Sequence, residues 1–324
     1  MHKYLKNVVR AVFVGALASQ ALLAGAQSYP NKPIKVFVGV PPGGSTDALT
    51  RMVAEWLQES LGQPTVVENK PGANTAVAAD LVARAAPDGY TLLVATEAFL
   101  TIPLLSKQPF DPFKNFEPIG TVGVSRFVMT VHPSVPVNNL KEFVAYAKAR
   151  PGQLNFGSSG NAGASHLGLE KFKMQTGTFI THIPYRGAGP ALTDGIAGQF
   201  QMSLFTPLAI SGHINAGKLK PLAVTGPKRI ASLPNVPTFT EAGLPGFDHR
   251  SWLSVYAPTG TPKPIVDKLG AEIVKMLASP KVKQKLETAG IEPLISTPEQ
   301  MVQMNRHETV ELQKAIKVSN MKMD

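Results

Sequence analysis

"VFVGVPPGGSTDALTRMVAEWLQESLG", Val36 to Gly62, decides the fold. Its first residues are a β-branched apolar run, part of a strand Ile34–Val40, and then come two prolines and two glycines. From Thr46 to Leu61 the apolar residues Leu49, Val53, Trp56, Leu57 and Leu61 recur at helical spacing, and Gly62 supplies the stop. Gly43 and Gly44 let the backbone turn sharply, Ser45 or Thr46 can cap the helix, and the helix start offers free N–H groups and partial positive charge. Such a turn suits a carboxylate. Neither the lysine of a phosphate-binding loop nor the third glycine of a dinucleotide turn is present. Asp47, an acid near the same helix start, reads first as a local cap and second as a ligand contact.

The same alternation continues outward. Strands are expected at Thr65–Asn69 and Tyr90–Thr96, with a helix at Ala76–Ala86 between them, which implies parallel βαβ units covered on both faces. Near Phe127 the chain starts a second set. Its elements are a strand at Arg126–Ser134, a helix at Leu140–Ala149, the strand "LNFGSS", a helix at Ala164–Thr176, the strand "FITHIPY", a helix from Pro190, and the strands "QMSLF" and "LKPLAVT". "WLSVYAPTG" (Trp252–Gly260) then repeats the strand-then-proline form, and two long helices close the chain. The second of these opens at Thr297-Pro298-Glu299-Gln300, a capping-box pattern. Two α/β domains are therefore expected: 27–127 with 255–324, and 128–254, joined by two crossing strands. A small molecule would bind in the cleft between them.

The N-terminus carries Lys3, Lys6 and Arg10, then a mostly apolar run to Ala24 and the small-residue pattern Ala24-Gly25-Ala26. This reads as a signal peptide over 1–26, cleaved after Ala26, and places the protein in the periplasm. The apolar run is short for a spanning helix, which needs about 20 residues. The chain has no cysteine, so disulfides, thiolate metal sites and a lipoprotein anchor are excluded. Net charge is +10, falling to +7 without the three cations of the leader, but the remaining cations are scattered, and nucleic acid is not an expected partner. The seven histidines are dispersed, and neither a metal nor a cofactor is expected.

"FGSSGNAGASHLGLEKF" (Phe156–Phe172) repeats the strand, small-residue loop and helix of the opening stretch, with Ser158, Ser159, Gly160, Asn161 and Ala162 in the loop. Two opposed helix starts would form a pincer for one carboxylate. Ser165-His166, or Ser159 with a histidine, admits a secreted α/β hydrolase, although the Gly-x-Ser-x-Gly elbow is missing. Tyr185 can cover the cleft and Arg186 can pair with a ligand acid; a structural loop with a surface arginine serves equally well. Glu97, at a strand end, can recognise an amine or hydroxyl or cap the next segment.

With these motifs assembled, the chain resembles the Bug-type receptors, the extracytoplasmic solute-binding proteins of tripartite tricarboxylate transporters. The resemblance rests on "YPNKPIKVFVGVPPGGSTD", "VVENKPGAN", "APDGYTLLVAT", "NFGSSGNAGASHL", "HIPYRG", "AGKLKPLAVT" and "LPNVPTFTEAGLPGF", which span nearly all of the mature chain. It implies a type II periplasmic binding protein fold, no catalysis, a monomer, and membrane transporter subunits (or a signalling protein) as partner. It implies as ligand a di- or tricarboxylate, an acidic amino acid or an aromatic carboxylate. A carboxylate would sit between Gly43–Asp47 and Ser158–Ala162, partly through ordered waters. Family members often carry acids after the "AGQ" turn and near the end of the following strand. Here "AGQFQMSLFTPLAI" places Gln201, Phe205 and Thr206 instead. That points away from an amino acid and toward an uncharged or aromatic body, with Phe99 and Phe205 as apolar faces.

Overall fold

The computed structural model describes residues 29–319. The leader expected at 1–26 lies outside the described residues. The strands are β1 Ile34–Val38, β2 Thr65–Asn69, β3 Thr91–Ala95, β4 Phe116–Ser125, β5 Val128–Val131, β6 Asn155–Ser158, β7 Thr181–Pro184, β8 Met202–Phe205, β9 Lys220–Val224, β10 Ser251–Pro258 and β11 Ile291–Pro293. The α-helices are α1 Ser45–Leu61, α2 Ala76–Ala83, α3 Ala98–Leu105, α4 Leu140–Lys148, α5 Ala164–Thr176, α6 Ala188–Ile196, α7 Pro207–Asn215, α8 Lys263–Ala278, α9 Pro280–Thr288 and α10 Pro298–Ser319.

Two sheets form. The first has the order β11-β4-β10-β3-β1-β2 and the second β7-β6-β8-β5-β9. In the first, β1 pairs in parallel with β2 and β3, and β10 enters antiparallel between β3 and β4. In the second, β6 pairs in parallel with β7 and β8, and β5 lies antiparallel to β8 and β9. Each domain is thus a parallel βαβ layer completed by a strand that arrives from the other domain. Helices cover both faces of each sheet; α1, α8 and α9 bury Val53, Ile273 and Leu286 against one side of the first.

The chain crosses twice, at Arg126–Phe127 and before Ser251. The sequence placed the return between 254 and 255, but β10 already pairs with Ser125 of β4 at Ser251. Arg126, expected in the crossing strand, is instead the buried tie between the crossings. Its guanidinium donates two bonds of 3.0 Å to Glu292 of β11 and one of 2.9 Å to Asp248 of the second crossing. The planar fork of arginine suits this bidentate contact.

Five elements, β4, α3, α7, α9 and β11, escaped the pattern reading. "FEPIGTVGVS" forms β4 although it contains Pro118, Gly120 and Gly123. Pro118 sits at a register shift against Tyr256, where no ladder bond is needed, and at Gly123 a Cβ would stand 2.7 Å from the Glu292 carbonyl oxygen. "AFLTIPLL" forms α3, apolar on every side because both faces are buried, so no period shows. Helices α7 and α9 also lie in segments given no element from the sequence. The capping box at Thr297 is formed, with Thr297 N donating to Gln300 Oε1 (2.9 Å) and Gln300 N to Thr297 Oγ1 (3.2 Å).

Candidate functional site

The carboxyl ends of β1, β3, β6, β7 and β8 all face the gap between the sheets, and the helices that follow them begin there. The gap closes into a cavity of about 140 Å³. Its wall includes Gly44, Ser45 and Thr46 at the start of α1, Ser159, Gly163 and Ala164 at the start of α5, Gly187 and Ala188 at the start of α6, and Thr206 before α7. None of these four helices is closed by the side chain of its own N-cap residue. Four helix starts and their dipole ends therefore point at one space, although the first N–H of α5, that of Ala164, is taken by Glu97 Oε1. Among the described residues, the only charged side chain on the cavity wall is that of Glu97. An anion held here is held by amides and hydroxyls, without a lysine or arginine.

The opening stretch is divided in its roles. Gly43 has φ +93°, a conformation that favours glycine, and directs its N–H to Asp47 Oδ2 (3.0 Å). Asp47 is buried, and also accepts from Asn69 Nδ2 (2.8 Å) and Arg51 Nε (3.1 Å). Burial pushes the Asp47 carboxyl up, but hydrogen bonds from Arg51, the Gly43 amide and Asn69 outweigh it and hold the group below the usual range. Gly43 and Asp47 do not line the cavity. Their polar groups are consumed in shaping the turn, with Asn69 also bonded to the Val40 carbonyl at 3.0 Å. Gly44, Ser45 and Thr46 are what remain for a ligand, and Ser45 Oγ already reaches across the cleft to Thr206 Oγ1 at 2.5 Å.

The second loop is shifted relative to expectation. Ser158 is fully buried and bonds inward, to His182 Nε2 and Gly160. Gly160, Asn161 and Ala162 curl away from the cavity, and the Ala162 N–H ends on His166 Nδ1 at 3.1 Å. Only Ser159 of the five expected residues lines the cavity; the others facing it here are Gly163, Ala164 and Ser165. A loop needs residues to turn before its helix can start, so the helix start lies several residues beyond the strand.

The third motif is displaced in the same way. Tyr185 donates to Asp194 Oδ2 (2.9 Å), its hydroxyl is raised by burial and by that acid, and Arg186 is exposed. Neither lines the cavity, which is met instead by Gly187 (φ +113°), Ala188, Gly189 and Pro190. Phe205 lines it, but Phe99 does not: it is 1% exposed in an aromatic core. Residues missed from the sequence include Ser125, Phe127, Ser251 and Trp252. They lie at the two crossings, and no local pattern marks a residue whose only qualification is its position at the hinge.

Ser159 and Ser165 bond each other at 3.1 Å rather than a histidine. His166 stacks on His182 with ring centroids 3.7 Å apart, and its pKa falls to about 3 through burial, then the neighbouring His182 and Lys173. A group whose folded pKa lies below its unfolded value costs stability as the pH falls through that interval. The loss of stability between pH 7 and pH 5 is therefore expected to be smaller in His166→Phe than in the parent by about 1–2 kcal/mol. Urea denaturation at the two pH values checks this, and an equal loss in both proteins would contradict it.

These features define a hinged two-domain binding protein with an anion-accepting cleft. The chain belongs to the tripartite tricarboxylate transporter family of receptors, whose sequence model matches residues 49–321. It is 37% identical to protein BugT of Bordetella pertussis over 295 residues, 90% of each chain. Its fold matches Rpa4515 of R. palustris solved with adipate (TM-score 0.88, 33% identity, 91% of this chain and 99% of that one). It also matches MatC of Rhodopseudomonas palustris with bound malate (TM-score 0.82, 29% identity, 89% and 100%). The architecture is that of the type II periplasmic binding proteins.

Proposed function

We propose that this protein captures a small dicarboxylate in the periplasm and presents it, with its two domains closed, to the membrane subunits of a tripartite transporter. The carrying observation is the convergence of four helix starts on one cavity whose wall has no cationic side chain among the described residues. Pre-aimed amides stabilise a carboxylate with little reorganisation. The cavity, about 140 Å³, is below the roughly 300–1,000 Å³ of pockets for drug-sized ligands. The adipate and malate bound by the two structural relatives are acids of suitable size. Gly44, Ser45, Thr46, Ser159 and Thr206 are the proposed ligand contacts.

In this reading the protein performs no bond chemistry. Residues 27–127 with the chain from β10 onward close against the domain between them, and the ligand favours the closed state by its differential affinity for it. The leader is removed after Ala26 and the receptor acts as a monomer.

The test is thermal shift of the chain from Gln27 onward against mono-, di- and tricarboxylates, aromatic acids and acidic amino acids. A ligand at a thousandfold excess over its Kd should add about 4 kcal/mol. A shift confined to dicarboxylates supports the proposal. A shift with acidic amino acids alone, or ester turnover that Ser165→Ala removes, overturns it.

A further inference from the structure

Glu97 has no part in the mechanism above, yet it is the only charged side chain on the cavity wall among the described residues. It follows β3 at the start of α3 in the first domain and is 4% exposed. Its carboxyl reaches into the second domain, where the Ala164 N–H at the start of α5 donates to Oε1 (2.9 Å). The Ser251 hydroxyl at the second crossing bonds Oε2. Both partners are neutral. The titratable groups around it do not compensate its charge. His166 on α5 and His249 at the crossing lie near Ala164, both held neutral by burial, with pKa values of about 3 and 4. Glu308 on α10 adds negative potential, and Arg250, His307 and Lys171 act on Glu308, whose carboxyl burial nonetheless raises.

A carboxylate ligand entering this cavity would stand beside the buried carboxyl of Glu97. Two carboxylates at such proximity do not both stay ionised. We propose that Glu97 takes up a proton as the cleft closes on its ligand, so that the receptor binds a carboxylate together with one proton. The inference rests on the reading that the ligand is an organic acid, and it adds a selection rule. A neutral Glu97 offers the ligand no negative charge, so the ligand end beside it is an acceptor such as a carboxylate or carbonyl, and an ammonium group gains nothing there. Burial, helped by Glu308 and partly offset by the hydrogen bonds from Ser251 and the backbone, brings the group to about 7 before a ligand arrives. The sign follows: the closed, loaded form holds more protons, so affinity is full at low pH and is lost as the pH rises through about 7, by at most about tenfold per pH unit.

Glu97→Gln tests this, because glutamine can still accept from Ala164 N and bond Ser251 while carrying no charge. Adipate binding is measured by calorimetry between pH 6 and 8.5, at pH 8 in two buffers of different ionisation enthalpy. The wild type should weaken as the pH rises and take up close to one proton per adipate at pH 8. Glu97→Gln should be flat with pH, take up none, and bind about tenfold or more tightly than the wild type at pH 8.5. Wild-type binding without proton uptake, or the same pH dependence in Glu97→Gln, overturns the proposal. A separate arm needs no ligand: the infrared difference between wild type and Glu97→Gln should contain a protonated-carboxyl band at pH 6 that disappears as the pH rises. If adipate binds neither protein but that band is seen, the proton site stands and the dicarboxylate reading fails. If the band is missing at pH 6, Glu97 is ionised and the proposal fails.

Discussion

Ser45→Asp is expected to weaken dicarboxylate binding by about a hundredfold or more while leaving the melting temperature at or above that of the parent. Ser45 is the first residue of α1, and the Gly44 before it contributes no side-chain cap. A carboxylate there meets the positive end of the helix and should stabilise the fold by about 0.3–1 kcal/mol. The same carboxylate stands on the cavity wall where the ligand's acid is proposed to sit. The binding energy of that subsite is then spent internally, and like charge opposes the ligand. A hundredfold corresponds to close to 3 kcal/mol, at about 1.4 kcal/mol per factor of ten. Ser45→Ala is the control. It removes only the hydroxyl and its bond to Thr206, and should cost near 1 kcal/mol. Calorimetric titration and a thermal melt on the three proteins check both halves. Unchanged affinity in Ser45→Asp would place the anion elsewhere in the cleft, and a lowered melting temperature would mean that α1 does not start as described.

Phe99→Ala is expected to destabilise the protein by about 3–5 kcal/mol, the range for removing a buried phenylalanine. The ring is 1% exposed, with centroids 4.9 Å from Phe116, 4.9 Å from Tyr256 and 5.8 Å from Phe110. Edge-to-face and offset contacts add to the burial term, and three aromatic rings around the vacated space leave little room to collapse. A loss of this size is a large share of the roughly 5–15 kcal/mol that holds a typical domain. Denaturant unfolding measures it, and ligand affinity at low temperature, where the variant is still folded, should be nearly unchanged. A small loss of stability with a large loss of affinity would return Phe99 to the ligand.

The parts that local chemistry dictates were legible in the residues. The parallel strands read as short apolar runs, β1 β-branched and β3 continuous, α1 as an amphipathic helix stopped by Gly62, and α10 by its reciprocal cap, because each is settled by neighbours a few residues away. What failed were elements whose period is erased by burial on all sides, as in α3, or whose turn-forming residues serve close packing, as at Pro118 and Gly123 of β4. The order of the sheets, with β10 inserted between β3 and β4, depends on pairings more than a hundred residues apart in sequence.

The site divides along the same line. That glycine-rich turns lead into helices at the ends of parallel strands is a property of the sequence alone, and it was enough to imply an anion between Gly43–Asp47 and Ser158–Ala162. Which residues of those turns line the cavity was decided by tertiary structure. Asp47, Ser158 and Tyr185 all looked available, yet each is taken by a partner inside its own domain, since a buried polar group must first be satisfied. The cavity is completed by Ser125, Phe127, Ser251 and Trp252, residues that come together only because the chain crosses between its domains twice. Glu97 is the sharpest case: from sequence it is one more acid at a strand end. Packing between the two domains buries it, and burial pushes its carboxyl up to about 7, because the energy of a charge depends on the surroundings that the whole fold provides.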